Sequence, residues 1–183
     1  MKNILTFILF LAAGFNFTYS QVSNNDFQFP QDWLGNWEGT LTIYSSTGKQ
    51  QELPMMLKNS ATENDSIFNW VIVYGQDSLA DERNYLLKVI HQPSNHYVVD
   101  EQNGIILDGW VFDNEFVSIF DVMGNQITTR YKRNGEYMDF DIIMNKIDIF
   151  QVSGDTIING ENIPEVNSYR PLVSQKARLT KVE

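Results

Sequence analysis

The sequence predicts an all-β protein folded as an antiparallel up-and-down β-barrel of about 8–10 strands. Three observations lead there. Short segments rich in β-branched and aromatic residues recur at a spacing of about ten residues, separated by Gly, Asn, Asp and Ser clusters that make turns. Beyond Ser20 no stretch sustains the helical period. Nearly every connection is short, which favours a meander that closes on itself over a sandwich with longer crossovers, and closure removes the edges that invite aggregation.

In chain order, Met1-Lys2-Asn3 gives a basic start, Ile4 to Phe15 an apolar run, and Thr18-Tyr19-Ser20 small residues at the −3 and −1 positions of a peptidase site. This tripartite pattern is that of a secretory signal peptide over residues 1–20, and the run is shorter than a membrane span needs. The alternative is an uncleaved N-terminal anchor. With no cysteine in the chain, lipid attachment at a lipoprotein-type Cys is excluded. The expectation is a soluble exported protein, periplasmic or secreted, starting at Gln21. Residues 21–33 read as a polar leader draped over the barrel rim, with a short helical turn around Phe29 to Leu34 closing that end. Residues 34–183 form the barrel domain.

The strands follow. Trp37, Gly39, Leu41 and Ile43 alternate with Glu38, Thr40, Thr42 and Tyr44, giving one dry and one wetter face. Gln51 to Lys58 returns after a Ser-Ser-Thr-Gly turn. Ser66 to Tyr74 is apolar on nearly both faces and reads as the most central strand. Gly75 to Glu82 is an acidic loop before Arg83 to Ile90. His96 to Asp100, Ile105 to Phe112, Glu115 to Val122, Gln126 to Lys132 and Glu136 to Met144 come next, joined by Asn103-Gly104, Asp113-Asn114, Gly124-Asn125 and Asn134-Gly135. Asn-Gly supplies the positive φ angles of a tight hairpin. Asp148 to Val152 is a further short strand, Ser153 to Pro171 is irregular, and Ser174 to Val182 closes the chain.

Composition narrows the function. The formal charge of −10 becomes −11 when Lys2 departs with the signal, which disfavours nucleic acid and anionic membrane surfaces. No later apolar stretch is long enough to cross a membrane, so no integral membrane association is expected. The size fits one domain and a monomer. Without cysteine, stability comes from packing and sheet hydrogen bonds.

Leu34-Gly35-Asn36-Trp37-Glu38-Gly39 resembles the Gly-x-Trp signature that opens the first strand of lipocalins and their calycin relatives. The version with a second glycine is also similar to nitrobindin-like and fatty-acid-binding-protein-like barrels. The resemblance implies structural roles for Gly35, Trp37 and Gly39, with an arginine from a late strand lying across the tryptophan, a place that Arg178 would take. In the nitrobindin-like group it would imply haem held by a histidine late in the chain. Both histidines here, His91 and His96, lie mid-chain, so no haem or other cofactor is expected.

The candidate site is the interior. Inward apolar faces place Trp70, Met138, Phe140, Ile142 and Met144 around a lumen suited to a small hydrophobic or amphipathic ligand. Tyr85, Arg130, Tyr131 and Arg170 are the candidate polar anchors, although Arg130 and Tyr131 are adjacent and only one can face inward. The ligand-binding set is therefore Trp70, Tyr85, Arg130, Met138, Phe140 and Met144. No catalytic or metal site is assigned: two histidines without thiolates make a poor zinc set, and no nucleophile elbow is present. Asp139 and Asp141 share the face opposite Met138 and Phe140 and read as outward. A binding protein is favoured over two alternatives, a barrel enzyme using lumen acids with Tyr or Arg, and a cavity-free barrel acting as an interaction module.

Overall fold

The computed structural model describes residues 28–75 and 82–182. The predicted signal peptide, the leader up to residue 27 and most of the acidic loop lie outside the described residues. A 3-10 turn at Gln31–Trp33 leads into β1 (Gly35–Ser45), followed by β2 (Gly48–Ala61), β3 (Ile67–Tyr74), β4 (Glu82–His91), β5 (His96–Asp100), β6 (Ile106–Phe112), β7 (Glu115–Val122), β8 (Asn125–Asn134) and β9 (Tyr137–Ser153). A hairpin of β10 (Thr156–Ile158) and β11 (Glu161–Ile163) then precedes β12 (Val166–Val182).

Ten strands close into one antiparallel barrel in the order β1-β12-β9-β8-β7-β6-β5-β4-β3-β2. Each barrel strand from β1 to β9 pairs with its sequence neighbour. β12 returns to zip β9 to β1 and leaves no open edge in the barrel proper. That closure needs Gly39. A Cβ there would sit 2.1 Å from the Arg178 carbonyl oxygen on β12, so only a glycine lets the two backbones meet. Gly109 on β6 makes room in the same way for the Phe116 ring, 2.4 Å from where its Cβ would lie.

One end of the barrel is shut by the chain preceding β1. Phe29 and Trp33 enter the core, with Trp33 fully buried, so this stretch is part of the packing and not a strap over the rim. Phe29 meets Trp33 and Tyr97 edge-on at centroid distances of 4.8 Å, and Trp33 stacks on Trp70 at 6.4 Å. Two hydrogen bonds tie the plug to the barrel. The Trp37 indole N–H donates to the Trp33 carbonyl at 2.9 Å, and the Tyr97 hydroxyl donates to the Phe29 carbonyl at 3.1 Å.

Arg178 does not lie across Trp37. It alternates with the inward Ala177 and Leu179 and therefore points out, donating to both carboxylate oxygens of Asp139 at 2.7 and 3.1 Å and covering the Tyr137 ring. The cations facing Trp37 are Lys181, its cross-strand partner, and Arg133, at 5.5 and 5.8 Å from the ring centroid.

The late chain also departs from the sequence reading. Asp148 to Val152 is not a separate strand but the continuation of β9, and β12 starts within the segment expected to be irregular. β8 accompanies β9 only to Lys146, and β1 accompanies β12 only to Val173. Beyond those points β9 and β12 continue as a two-stranded arm past the barrel end opposite the plug, tipped by the β10–β11 hairpin. Ile147, Ile149, Phe150, Val152, Ile157 and Ile158 are exposed on it.

Two hairpins shift by one residue from expectation. Met123-Gly124, not Gly124-Asn125, carries the positive φ angles of 49° and 76°. Gly135-Glu136 forms the other turn, with Gly135 at φ 63° in the first central position, a place that demands glycine in a type II′ turn.

Candidate functional site

Above the aromatic plug the barrel holds a cavity of about 280 Å³. Period-two alternation sends alternate residues of β3, β7, β8, β9 and β12 into it. Its floor is Trp70, Phe116, Tyr131 and Phe140, with Trp70 meeting Tyr131 edge-on at 5.2 Å and Tyr131 tilted against Phe140 at 4.7 Å. Ile72, Leu107, Ile127, Ile142 and Met144 form apolar walls. Tyr74, Tyr85, Glu101, Thr129 and Gln175 supply the polar atoms.

Tyr74, Tyr85 and Glu101 lie near one another. The Glu101 charge acts on Tyr85, and the Asn103 side-chain amide donates to Glu101 Oε2 at 3.2 Å. Burial, then the neighbouring Tyr85, pushes the Tyr74 phenol far above its ordinary range, while Arg83 opposes the shift. Burial raises Tyr85 as well, with the Glu101 charge adding to it. Tyr131, enclosed on all sides, is raised chiefly by burial and then by Tyr74. All three phenols therefore stay neutral across the physiological range, each offering a hydroxyl to the lumen.

Of the residues assigned from sequence, Trp70, Tyr85, Phe140 and Met144 line this cavity. Met138 and Arg130 do not. Met138 faces inward as expected but lies at the plugged end, fully buried in the solid core below the cavity. Arg130 faces outward because its neighbours Thr129 and Tyr131 take the inward positions, and it donates to Glu115 at 2.6 Å on the surface. Arg170 lies on the exposed arm. Sequence reasoning missed Tyr74 and Glu101, although a signal existed. Tyr74 continues the series Trp70, Ile72, and Glu101 continues Tyr97, Val99.

The outward aspartates have a structural explanation. Lys132, Asp139 and Arg178 lie side by side across β8, β9 and β12, and Arg130, Asp141 and Lys176 form the next row. Each carboxylate is thus flanked by two cations on the barrel exterior, an arrangement that stabilises a sheet through cross-strand pairs. Among the described residues lining the cavity, Glu101 is the sole carboxylate.

The two imidazoles are engaged separately. His96 stacks flat on Trp110 at 4.8 Å and shares a 2.7 Å hydrogen bond with Asp108, whereas His91 Nδ1 lies 2.8 Å from the Ser94 hydroxyl. Among the described residues no three His, Cys, Asp or Glu side chains are grouped to hold a metal ion. Nor is any helix there long and apolar enough to cross a membrane.

No family model matches the sequence, and no curated protein is similar to it. Solved structures do share the fold. A protein of unknown function from the DUF3598 family of Nostoc punctiforme PCC 73102 superposes with a TM-score of 0.55 at 8% identity over 83% of this chain. The present chain spans about half of that protein, 48% of its length. An S-type phycobiliprotein lyase from Guillardia theta superposes with a TM-score of 0.51 at 8% identity, covering 84% of this chain and 90% of its own. What this protein shares with both is the closed antiparallel barrel.

Proposed function

We propose that this protein is an exported, calycin-like carrier that binds a small apolar or amphipathic molecule in the barrel lumen. The observation that carries the reading is the cavity of about 280 Å³, walled by aromatic and aliphatic side chains and furnished with a few polar atoms. That combination is what small-molecule sites are made of, and the volume falls at the lower edge of their usual range, roughly 300–1,000 Å³. A guest that fills it removes apolar surface from water on both sides, which drives binding. The same barrel in a phycobiliprotein lyase supports a lumen that serves a ligand. Export rests on the basic, apolar and small-residue succession of residues 1–20. The interaction-module alternative draws on the bare apolar side chains of the arm, but it leaves the lumen without a purpose.

The test is a titration of the mature chain with the neutral fluorescent probe N-phenyl-1-naphthylamine, alongside a Thr129→Phe variant whose ring fills the lumen. Saturable probe binding is expected in the native protein, with loss in a variant that melts no lower. Absence of binding, or equal binding by the filled variant, overturns the reading.

A further inference from the structure

The cavity is polarised in charge as well as in polarity. Among the described residues no Lys, Arg or His lines it, and Glu101 is the one acidic side chain. The arginine that would hold a carboxylate guest, Arg130, is outside and paired with Glu115. Arg83 acts on Tyr74 and Tyr85 without lining the cavity. A carboxylate guest would therefore enter an aromatic chamber to meet another carboxylate.

We propose that the lumen takes amphipathic amines: a protonated amine on a small apolar or one-ring body, the ammonium held by Glu101 and Tyr85 and the body resting on Trp70 and Phe140. This rests on the lumen-binding reading and adds the chemical class of the guest. Glu101 has room for the contact. A carboxylate offers about four acceptor positions, of which Asn103 occupies one on Oε2. An ammonium carries three donors, so it can bond the carboxylate and a phenol oxygen together. Tyr74 and Tyr85 line the same cavity, and aromatic faces attract a cation held within about 6 Å. Charge-assisted hydrogen bonds are roughly twice as strong as neutral ones, which favours the amine over an alcohol of the same shape. The protein's charge of −10 adds a long-range bias, concentrating cations near its surface and repelling anions. Volume limits the rest: about 280 Å³ takes a one-ring guest with room to spare and a body no larger than the three-ring probe.

Three guests of similar shape separate the possibilities: phenethylamine, 2-phenylethanol and 3-phenylpropionate, each displacing N-phenyl-1-naphthylamine from the mature protein at pH 7 and low salt. The amine is expected to compete about tenfold better than the alcohol, with the acid weakest. In Glu101→Gln the amine's advantage over the alcohol should shrink to within about threefold, the ratio being taken within one variant so that altered probe affinity cancels. Tyr85→Phe should reduce the same ratio by a smaller factor, and covers the case in which Glu101→Gln folds poorly. Equal competition by amine and alcohol, preference for the acid, or an undiminished ratio in both variants overturns the amine assignment while probe binding keeps the carrier reading intact. Failure of the native protein to bind the probe at all removes the carrier reading itself.

Discussion

Replacing Trp33 by alanine tests whether the plug is part of the fold or an accessory to it. The side chain is fully buried, meets Phe29 edge-on at 4.8 Å and stacks on Trp70 at 6.4 Å, and its carbonyl receives the Trp37 indole N–H. Truncating a buried tryptophan to alanine costs about 3–5 kcal/mol, the spread reflecting how far the site collapses. Collapse is limited here, because Trp70 is held by β3 and Phe29 is packed against Tyr97 and Phe116. Against a total stability of roughly 5–15 kcal/mol the variant should fold but be visibly weakened. At about 2–4 °C per kcal/mol for a chain of this size, the melting temperature should drop by about 6–20 °C. Urea unfolding followed by circular dichroism gives the free energy, and tryptophan emission reports whether Trp70 becomes wetter. The control is Trp110→Ala, a ring that is 40% exposed and stacks on His96 outside the barrel. It should cost under about 1 kcal/mol. A loss at Trp33 no greater than at Trp110 would refute the plug argument and return the leader to the surface.

Other substitutions follow from the same geometry. Arg178→Ala should move the melting temperature by no more than about 2 °C and leave Trp37 emission unchanged, since an exposed ion pair contributes little; a large loss would mean that the guanidinium guards the indole after all. Gly39→Ala places a methyl 2.1 Å from a backbone oxygen that cannot swing aside, so the β1–β12 seam must part. A cost of about 1–3 kcal/mol or more is expected, with hydrogen exchange accelerated along Thr40 and Arg178, and unchanged protection would contradict the close approach. Alkaline pH should weaken the fold through Tyr74 and Tyr131. Their folded values lie above about 10, the unfolded tyrosine value. The folded chain thus keeps protons that the unfolded chain sheds, stability is full below about pH 10, and it declines as pH rises further, by up to about 1.4 kcal/mol per unit for each phenol. Melting curves between about pH 8 and 11 should fall less steeply for Tyr131→Phe than for the native protein; parallel curves would show that Tyr131 gives up its proton as readily folded as unfolded.

Barrel closure was legible because alternation and turn chemistry are local signals. Met138, Phe140, Ile142 and Met144 against Asp139, Asp141 and Ile143 leave little doubt which side of β9 is dry, and Asp113-Asn114 makes the turn that its composition announces. The arm was not legible. Residues 146–153 and 166–171 pair with one another, with irregularities around Tyr169 and Pro171, and their side chains are exposed on both faces, so no alternation marks them. Arg178 misled for a related reason. A motif names the partner residue type, but which cation reaches Trp37 depends on register, and the pairing of Trp37 with Lys181 gives the position to a lysine.

The lumen's polarity was hidden by the rule that revealed its walls. Period two identifies an inward face by its apolar residues, so a polar residue on that parity reads as the end of the strand. Glu101 stands where Tyr97 and Val99 would continue, one residue past the last paired position of β5, and lines the cavity. Tyr74 ends β3 in the same manner, after Trp70 and Ile72. Places where a sequence breaks the local pattern while the backbone keeps to it are where function is expected to reside. Arg130 makes the converse case. It breaks no pattern, since Thr128, Arg130 and Lys132 are polar together on the outer face while Ile127, Thr129 and Tyr131 turn inward. Weighing which parity a charged residue interrupts, and not how well its chemistry would suit a ligand, would have exchanged Arg130 for Glu101 among the lumen residues.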